Sequence, residues 1–189
     1  GGIVATKGLG GFHLACDASN EQAVRELRRR KRRSNKPLAV MVRGLADAER
    51  LCHIDGVERD LLAGSVRPIV LLRRRATGSD THGSPDDPEL APSVAHDLPE
   101  LGVMLPYTPL QHLLLAAAAA HGMHAIVMTS GNLSEEPIET DDALAWEHLV
   151  AASIADALLG NDRAILSRYD DSVVRVVNGD VMPVRRARG

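Results

Sequence analysis

Apolar runs alternate with polar, glycine-bounded gaps along most of the chain, and their lengths sort into strands and helices. Residues 2–7 form a short apolar run closed by Gly8, Gly10 and Gly11, the pattern of a buried strand entering a tight turn. Ser19-Asn20-Glu21 is a helix start, and Ala23, Val24 and Leu27 give the next segment one apolar face up to about Arg33. Pro37 to Val42 predicts a strand, residues 44–53 and 57–62 two short helices, and Arg67 to Leu72 another strand. Pro109 opens a helix through Leu113, Leu114, Leu115 and an alanine run, which Gly122 ends. His124 to Thr129 reads as a strand, and Thr140-Asp141-Asp142 caps a helix carrying Leu144 and Leu149. Ile165-Leu166, Ser172 to Val177 and Val181 to Val184 predict late strands, the last two joined by the hairpin signal Asn178-Gly179.

Strands alternating with helices, then a terminal hairpin, indicate an α/β domain (α+β in some schemes) with a mixed sheet. Residues 75–99 break the pattern. They are rich in Gly, Ser, Asp and Pro, and read as a long loop inside one domain, of the kind that serves as a lid. A chain of 189 residues suits a single domain with one core. It has no starting methionine and opens directly on a strand, so a piece excised from a larger multidomain enzyme is expected.

Charge and composition narrow the partners. A net charge of −3 gives no global basic field for nucleic acid. No apolar run approaches the roughly 20 residues that span a bilayer, so no membrane partner is expected. Cys16 and Cys52 are the only cysteines and read as reduced, buried thiols, in keeping with the cytoplasm.

Four elements could carry chemistry. Lys7-Gly8-Leu9-Gly10-Gly11-Phe12-His13 follows a strand, and its glycines are either a plain turn or a close backbone approach to an anion. It is neither a GxxxxGK loop nor GxGxxG. Arg28 to Arg33 are six consecutive cations, either a solvated helix end or a polyanion site. Lys31 and Arg33 cannot share a face of a straight helix, so the helix must end between them if both serve one ligand. An RNA-binding patch is the other reading, although aromatics are only 2% of the chain. Ser130-Gly131-Asn132 closes a strand, where open α/β sheets bind ligands, or simply makes a turn. Asp170-Asp171 could hold Mg²⁺ or pair with nearby arginines. The eight histidines form no HExxH spacing, and His13 stands out only because it follows the glycine turn.

Taken in order, these elements resemble the YrdC-like family, which includes the threonylcarbamoyl-AMP synthases. The glycine turn, Lys31-Arg32-Arg33, Ser130-Gly131-Asn132 and Ser172-Val173-Val174 match its ordered motifs. KGLGGFHLACDA, KPLAVM, LAPSVA, LGVMLPYTPL, TSGNLSEEPI and YDDSVVR look like the YrdC-like domain of the hydrogenase-maturation carbamoyltransferases, the HypF branch. The stand-alone synthases carry PTET-x-YGLG and SAN-x-SG, and this sequence does not.

The resemblance implies a twisted mixed β-sheet flanked by helices. It implies that carbamate, released elsewhere from carbamoyl phosphate, reacts with ATP and Mg²⁺ to give carbamoyl-adenylate and pyrophosphate. Acylphosphatase-like and Kae1-like domains of the parent chain would supply and deliver the carbamoyl group, with HypE as acceptor. Lys7, Lys31 and Arg33 would be catalytic. Gly8, Gly10, Gly11, His13, Ser130, Asn132, Ser172, Arg175 and Arg185 would bind ATP or the carbamoyl group. Asp170 and Asp171 would hold the metal. Threonylcarbamoyl-AMP synthesis for tRNA modification and double-stranded RNA binding are the alternatives that the wider family implies.

Overall fold

The computed structural model describes residues 1–75, 89–133 and 136–187. Among the described residues nine strands form one mixed sheet: β1 Val4–Lys7, β2 Phe12–Asp17, β3 Ala39–Val42, β4 Ile69–Arg73, β5 Glu100–Met104, β6 Ala125–Ser130, β7 Ala157–Leu159, β8 Val173–Val177 and β9 Asp180–Arg185. Their order is β7-β1-β2-β6-β3-β5-β4-β8-β9. The pairs β1–β7, β3–β5 and β4–β8 are parallel and the others antiparallel.

Helices cover both faces. α1 (Glu21–Lys31), α2 (Leu45–Leu51), α3 (Gly56–Ala63) and α5 (Asp142–Ala145), which runs on into a π-helical turn Trp146–Ala151, lie over one face. There Val24, Leu27, Ala48, Leu62 and Leu149 pack with Phe12, Leu14, Val40 and Val127. α4 (Pro109–Ala120) covers the other face, where Leu115 and Ala118 meet Ala15, Met41, Met104 and Met128. Alternation along β2 feeds both layers, because successive side chains point to opposite faces.

Three strands escape the sequence pattern. β2 is buried along almost its whole length, so it lacks polar alternation, and the glycine turn before it is a hairpin turn. β5 sits behind the polar stretch that masks it, and β7 is only three residues long. Ile165-Leu166 is not a strand, and Leu166 is 91% exposed. α1 stops at Lys31 rather than Arg33, because Arg32 turns left-handed at φ 55°.

Of the expected loop, residues 76–88 lie outside the described residues, and the expectation of a lid falls largely there. Residues 89–99 send only their middle into the core. Leu90, Ala91, Val94 and Ala95 are buried around a 3-10 turn, Pro92–Val94.

Candidate active site

The end of α1 and the end of β6 meet. Asn20 caps α1 by accepting a hydrogen bond from the Ala23 N–H at 3.0 Å, and the buried stripe of Ala23, Val24 and Leu27 seats the helix on the sheet. That seating carries Lys31 inward, where it is 1% exposed. Its ammonium donates to the backbone oxygens of Ser130 and Asn132 at 2.6 and 2.7 Å and to Asn132 Oδ1 at 2.6 Å. The Ser130 hydroxyl donates to the same Asn132 Oδ1 at 2.7 Å. Gly131 between them has no room for a side chain, since a Cβ would lie 2.7 Å from the Phe12 carbonyl oxygen. Burial first, and then the charge of Arg33, bring the Lys31 pKa down from 10.5 to about 7 against the opposing pull of Asp170.

The left-handed Arg32 lets Lys31 and Arg33 serve one place. Arg33 donates to the Pro37 and Lys36 carbonyls at 2.7 and 3.3 Å. Burial first, then the positive charges of Arg28 and Arg185, depress its pKa, and Asp170 counters them. Lys31, Arg33, Arg185 and Asp170 therefore form one electrostatic neighbourhood. Arg185 holds the segment before β8. It donates to the Asp171 carbonyl at 2.8 and 3.0 Å and pairs with Asp170 at 2.7 Å. The Ser172 hydroxyl accepts from the Ala187 N–H at 3.1 Å.

The glycine turn closes on itself through the Gly8 N–H to the Gly11 carbonyl at 2.9 Å. Gly10 packs against Tyr169 so tightly that a Cβ would lie 2.4 Å from the Tyr169 carbonyl oxygen, and a Cβ on Gly11 would strike Ile138. These glycines bring the turn against the residues that precede β8. Buried Lys7 pairs with Asp142 at 2.7 Å and donates to the Asn161 carbonyl at 3.1 Å. His13 Nε2 lies 3.1 Å from Asp171 Oδ2, and the Tyr107 hydroxyl donates to Asp171 Oδ1 at 3.0 Å.

Three of the expected groups have partners within the chain. Asp170 and Asp171 turn to different sides. One carboxylate faces Arg185 and the other His13 and Tyr107, and among the described residues no group of three or more His, Cys, Asp or Glu could hold a metal ion. Arg175 is committed to Glu100 at 2.5 Å rather than to the Lys31 neighbourhood. The run from Arg28 to Arg33 divides among several partners. Arg28 is 7% exposed and donates to five carbonyls, while Arg29 and Arg30 both pair with Glu26, and Arg30 also with Asp156.

The sequence reading missed Tyr107, Thr6 and Asp142 as site neighbours. Asp142 read only as part of a helix cap, although Asp141 supplies the cap. Tyr107 lies in the LGVMLPYTPL stretch, but nothing there points it to the site, and its role depends on Asp171, 64 residues away.

Comparison with known proteins decides what this fold and site belong to. The family model described as telomere recombination, Sua5/YciO/YrdC, matches residues 1–187. The chain belongs to the Sua5/YciO/YrdC family. Carbamoyltransferase HypF2 of Cupriavidus necator is 50% identical over a 203-residue alignment that covers 100% of this chain and 24% of that protein. A crystal structure of full-length HypF in the phosphate- and nucleotide-bound form matches with a TM-score of 0.86 and 45% identity, covering 99% of this chain and 27% of that one. HypF from T. kodakarensis gives 0.87 and 39%, covering 100% of this chain and 23% of that one. This Sua5/YciO/YrdC chain thus spans about a quarter of the length of the HypF proteins it matches. No helix among its described residues is long and apolar enough to cross a membrane.

Proposed function

We propose that this chain catalyses ATP-dependent formation of carbamoyl-adenylate, as one step of a carbamoyltransferase reaction. The observation that carries the reading is the buried Lys31 ammonium, fixed on the Ser130–Asn132 turn beside Arg33 and Arg185. A carbamate oxygen attacks the α-phosphorus of ATP, the bond from that phosphorus to the bridging oxygen breaks, and pyrophosphate leaves. Negative charge grows on the departing oxygens, and cations fixed before the reaction stabilise it without reorganising.

The Lys31 contacts suggest how the phosphates enter. Of its three close acceptors, two are backbone oxygens and one is the Asn132 side chain. A phosphate oxygen replaces the side-chain acceptor, which frees the Ser130 hydroxyl to donate to the ligand, while Asn132 Nδ2, which donates one N–H to the Glu136 carbonyl, has a second for it. Lys7 at the end of β1 is the cation for the carbamate or the α-phosphate, with Asp142 as its counter-ion in the unliganded state. The glycine turn of Gly8, Gly10 and Gly11 shapes the wall between Lys7 and His13. Mg²⁺ enters with the ATP phosphates, because Asp170 and Asp171 are turned to other partners.

The whole-length relatives support a larger context. Acylphosphatase-like and Kae1-like domains of a parent chain release carbamate from carbamoyl phosphate and pass the activated group to HypE in NiFe-hydrogenase maturation. Two free, buried cysteines suit the reducing cytoplasm.

The test is to incubate the chain with ATP, Mg²⁺, bicarbonate and ammonium, and to follow pyrophosphate and an AMP-containing adduct. Both are expected, without dependence on threonine. Pyrophosphate release that requires threonine would instead make the chain a threonylcarbamoyl-AMP synthase. No pyrophosphate from a folded, ATP-binding chain would end the adenylation reading.

A further inference from the structure

We propose that residues 136–142 form a clasp that couples Lys7 to the Lys31 site, so that an anion taking the place of Asp142 on Lys7 strengthens ATP binding at Lys31. The inference rests on the adenylation reading and deepens it, by linking the binding of its two substrates.

The clasp runs from one turn to the other. At its start, the Glu136 carbonyl accepts from the Asn132 side-chain amide. In its middle, the Glu139 N–H donates to the Gly131 carbonyl at 3.0 Å, and the Glu139 carbonyl accepts from the Phe12 N–H at 2.8 Å. Ile138 is buried against Gly11, where a Cβ would lie 2.6 Å from its side chain. At its end, the Asp142 carboxylate meets the Lys7 ammonium with both oxygens, at 2.7 and 2.8 Å. One short segment thus touches the Ser130–Asn132 turn, the glycine turn and Lys7. Contiguous contacts carry coupling between two sites when the element that makes them has two arrangements.

Asp142 supplies the two arrangements. The Lys7 side chain is 3% exposed and the Asp142 side chain 60%, so the lysine is fixed and its partner is free to turn outward. The other acceptor on the ammonium is the carbonyl of Asn161, itself an exposed residue. The ammonium therefore lies just beneath the surface, and the outward turn of Asp142 opens it to an entering anion. An ion pair with one partner this exposed is held weakly enough for such an exchange. Asp142 is also the first residue of α5, directly after the Asp141 cap, so its release loosens the junction of clasp and helix.

ATP meets the same clasp at its other end. Asn132 Oδ1 accepts from Lys31 and from the Ser130 hydroxyl. A phosphate oxygen that displaces Oδ1 turns the amide, and the Glu136 carbonyl bonded to the amide nitrogen has to move with it. With Asp142 on Lys7 the clasp is held at both ends and resists that shift. With Asp142 released it yields. The two ligands favour the same arrangement, and each raises the affinity for the other by the same factor.

Binding measurements on the unchanged chain and on Asp142→Asn test the coupling. The ligands are α,β-methylene-ATP, which cannot release pyrophosphate, and ammonium carbamate, with ammonium chloride at equal ionic strength and pH as the control. Carbamate should lower the Kd of the analogue at least about 5-fold in the unchanged chain, the lower end of measured couplings. Asp142→Asn keeps the size of the side chain and loses its charge. In that variant the analogue should bind about 5-fold tighter without carbamate, and carbamate should change its Kd less than about 2-fold. An analogue Kd indifferent to carbamate in the unchanged chain overturns the proposal. So does an equal carbamate effect in both chains, or analogue binding that is unchanged or weaker in Asp142→Asn. A second measurement reads the clasp itself. Trp146, the only tryptophan, stands one turn after Asp142. Its fluorescence should shift when carbamate is added to the unchanged chain and stay constant in Asp142→Asn; no shift in the unchanged chain, or the same shift in both, defeats the proposal. The analogue does not react, so the two readings fail separately. Pyrophosphate release from ATP without the coupling keeps adenylation and removes the clasp, and the coupling without pyrophosphate release does the reverse.

Discussion

Lys31 and Asn132 are joined twice, by the Asn132 carbonyl at 2.7 Å and the Asn132 side-chain oxygen at 2.6 Å from the same ammonium. They are 101 residues apart, one at the end of a helix and the other just past a strand. The lysine thus joins α1 to the end of β6 and also supplies the positive charge there. Both roles predict what its removal does. Lys31→Met keeps the apolar stem and loses the donors. Pyrophosphate release should fall by about 10²–10³-fold, the range for losing one fixed donor to a developing anion. Losing the ammonium's hydrogen bonds to the Ser130 and Asn132 oxygens should also cost about 1–3 kcal/mol of stability. Urea unfolding beside the pyrophosphate assay separates the two effects, and unchanged turnover would remove Lys31 from the chemistry.

Arg28 and Arg29 look alike in the sequence and should behave differently. Arg28 is buried and gathers the carbonyls of Arg33, Ser34, Lys36, Ser93 and Val94, tying the chain after α1 to the 3-10 turn. Arg28→Ala leaves several of these acceptors unmet and should cost about 2–4 kcal/mol, more than one lost buried hydrogen bond. Arg29 is exposed and, among the described residues, bonds Glu26 on its own helix, so Arg29→Ala should leave stability nearly unchanged. Thermal unfolding of the two variants checks the contrast.

Gly10 should be the least replaceable glycine of its turn for catalysis. An added methyl would meet the Tyr169 carbonyl at 2.4 Å and its ring at 2.5 Å, and Tyr169 leads directly into Asp170 and Asp171. Gly10→Ala should cost about 1–3 kcal/mol as an overpacking change and lower turnover by displacing that segment. Gly56 opens α3 with nothing near it, so Gly56→Ala should be neutral or stabilise by up to about 1 kcal/mol. Circular dichroism melts with the pyrophosphate assay check both.

The sequence made the helices and the ordered motifs readable because both are local. Asn20, Thr108 and Asp141 cap α1, α4 and α5 with their own neighbours. The wider site is not local. β2 is buried on both faces, so its strand pattern vanished into the glycine turn. The six-cation run is uniform in sequence, yet tertiary contacts divide it: Arg28 into the interior, Arg29 and Arg30 onto Glu26, Lys31 onto Asn132. Paired aspartates likewise say nothing about direction. Tyr107 and His13, on separate strands and loops, draw Asp171 away from Asp170.

The remaining prediction concerns pH. The Lys31 ammonium has a pKa of about 7 in the folded chain against 10.5 for a free lysine, chiefly because burial disfavours its charge. Between those two values the unfolded chain holds the proton and the folded chain has lost it. The unfolded state therefore binds more protons there, and this group's contribution to stability rises with pH from about 7 to 10.5. Below that window both states are protonated, and the cost of burying the charge is fully present. ATP changes the balance, since a phosphate beside Lys31 favours the ammonium. Binding at about pH 8 should therefore take up a proton, approaching one per site. Calorimetric titrations of ATP in buffers with different ionisation enthalpies measure that uptake directly. The uptake should vanish in Lys31→Met and persist in Arg29→Ala, and uptake that survives in Lys31→Met would assign the proton to another group.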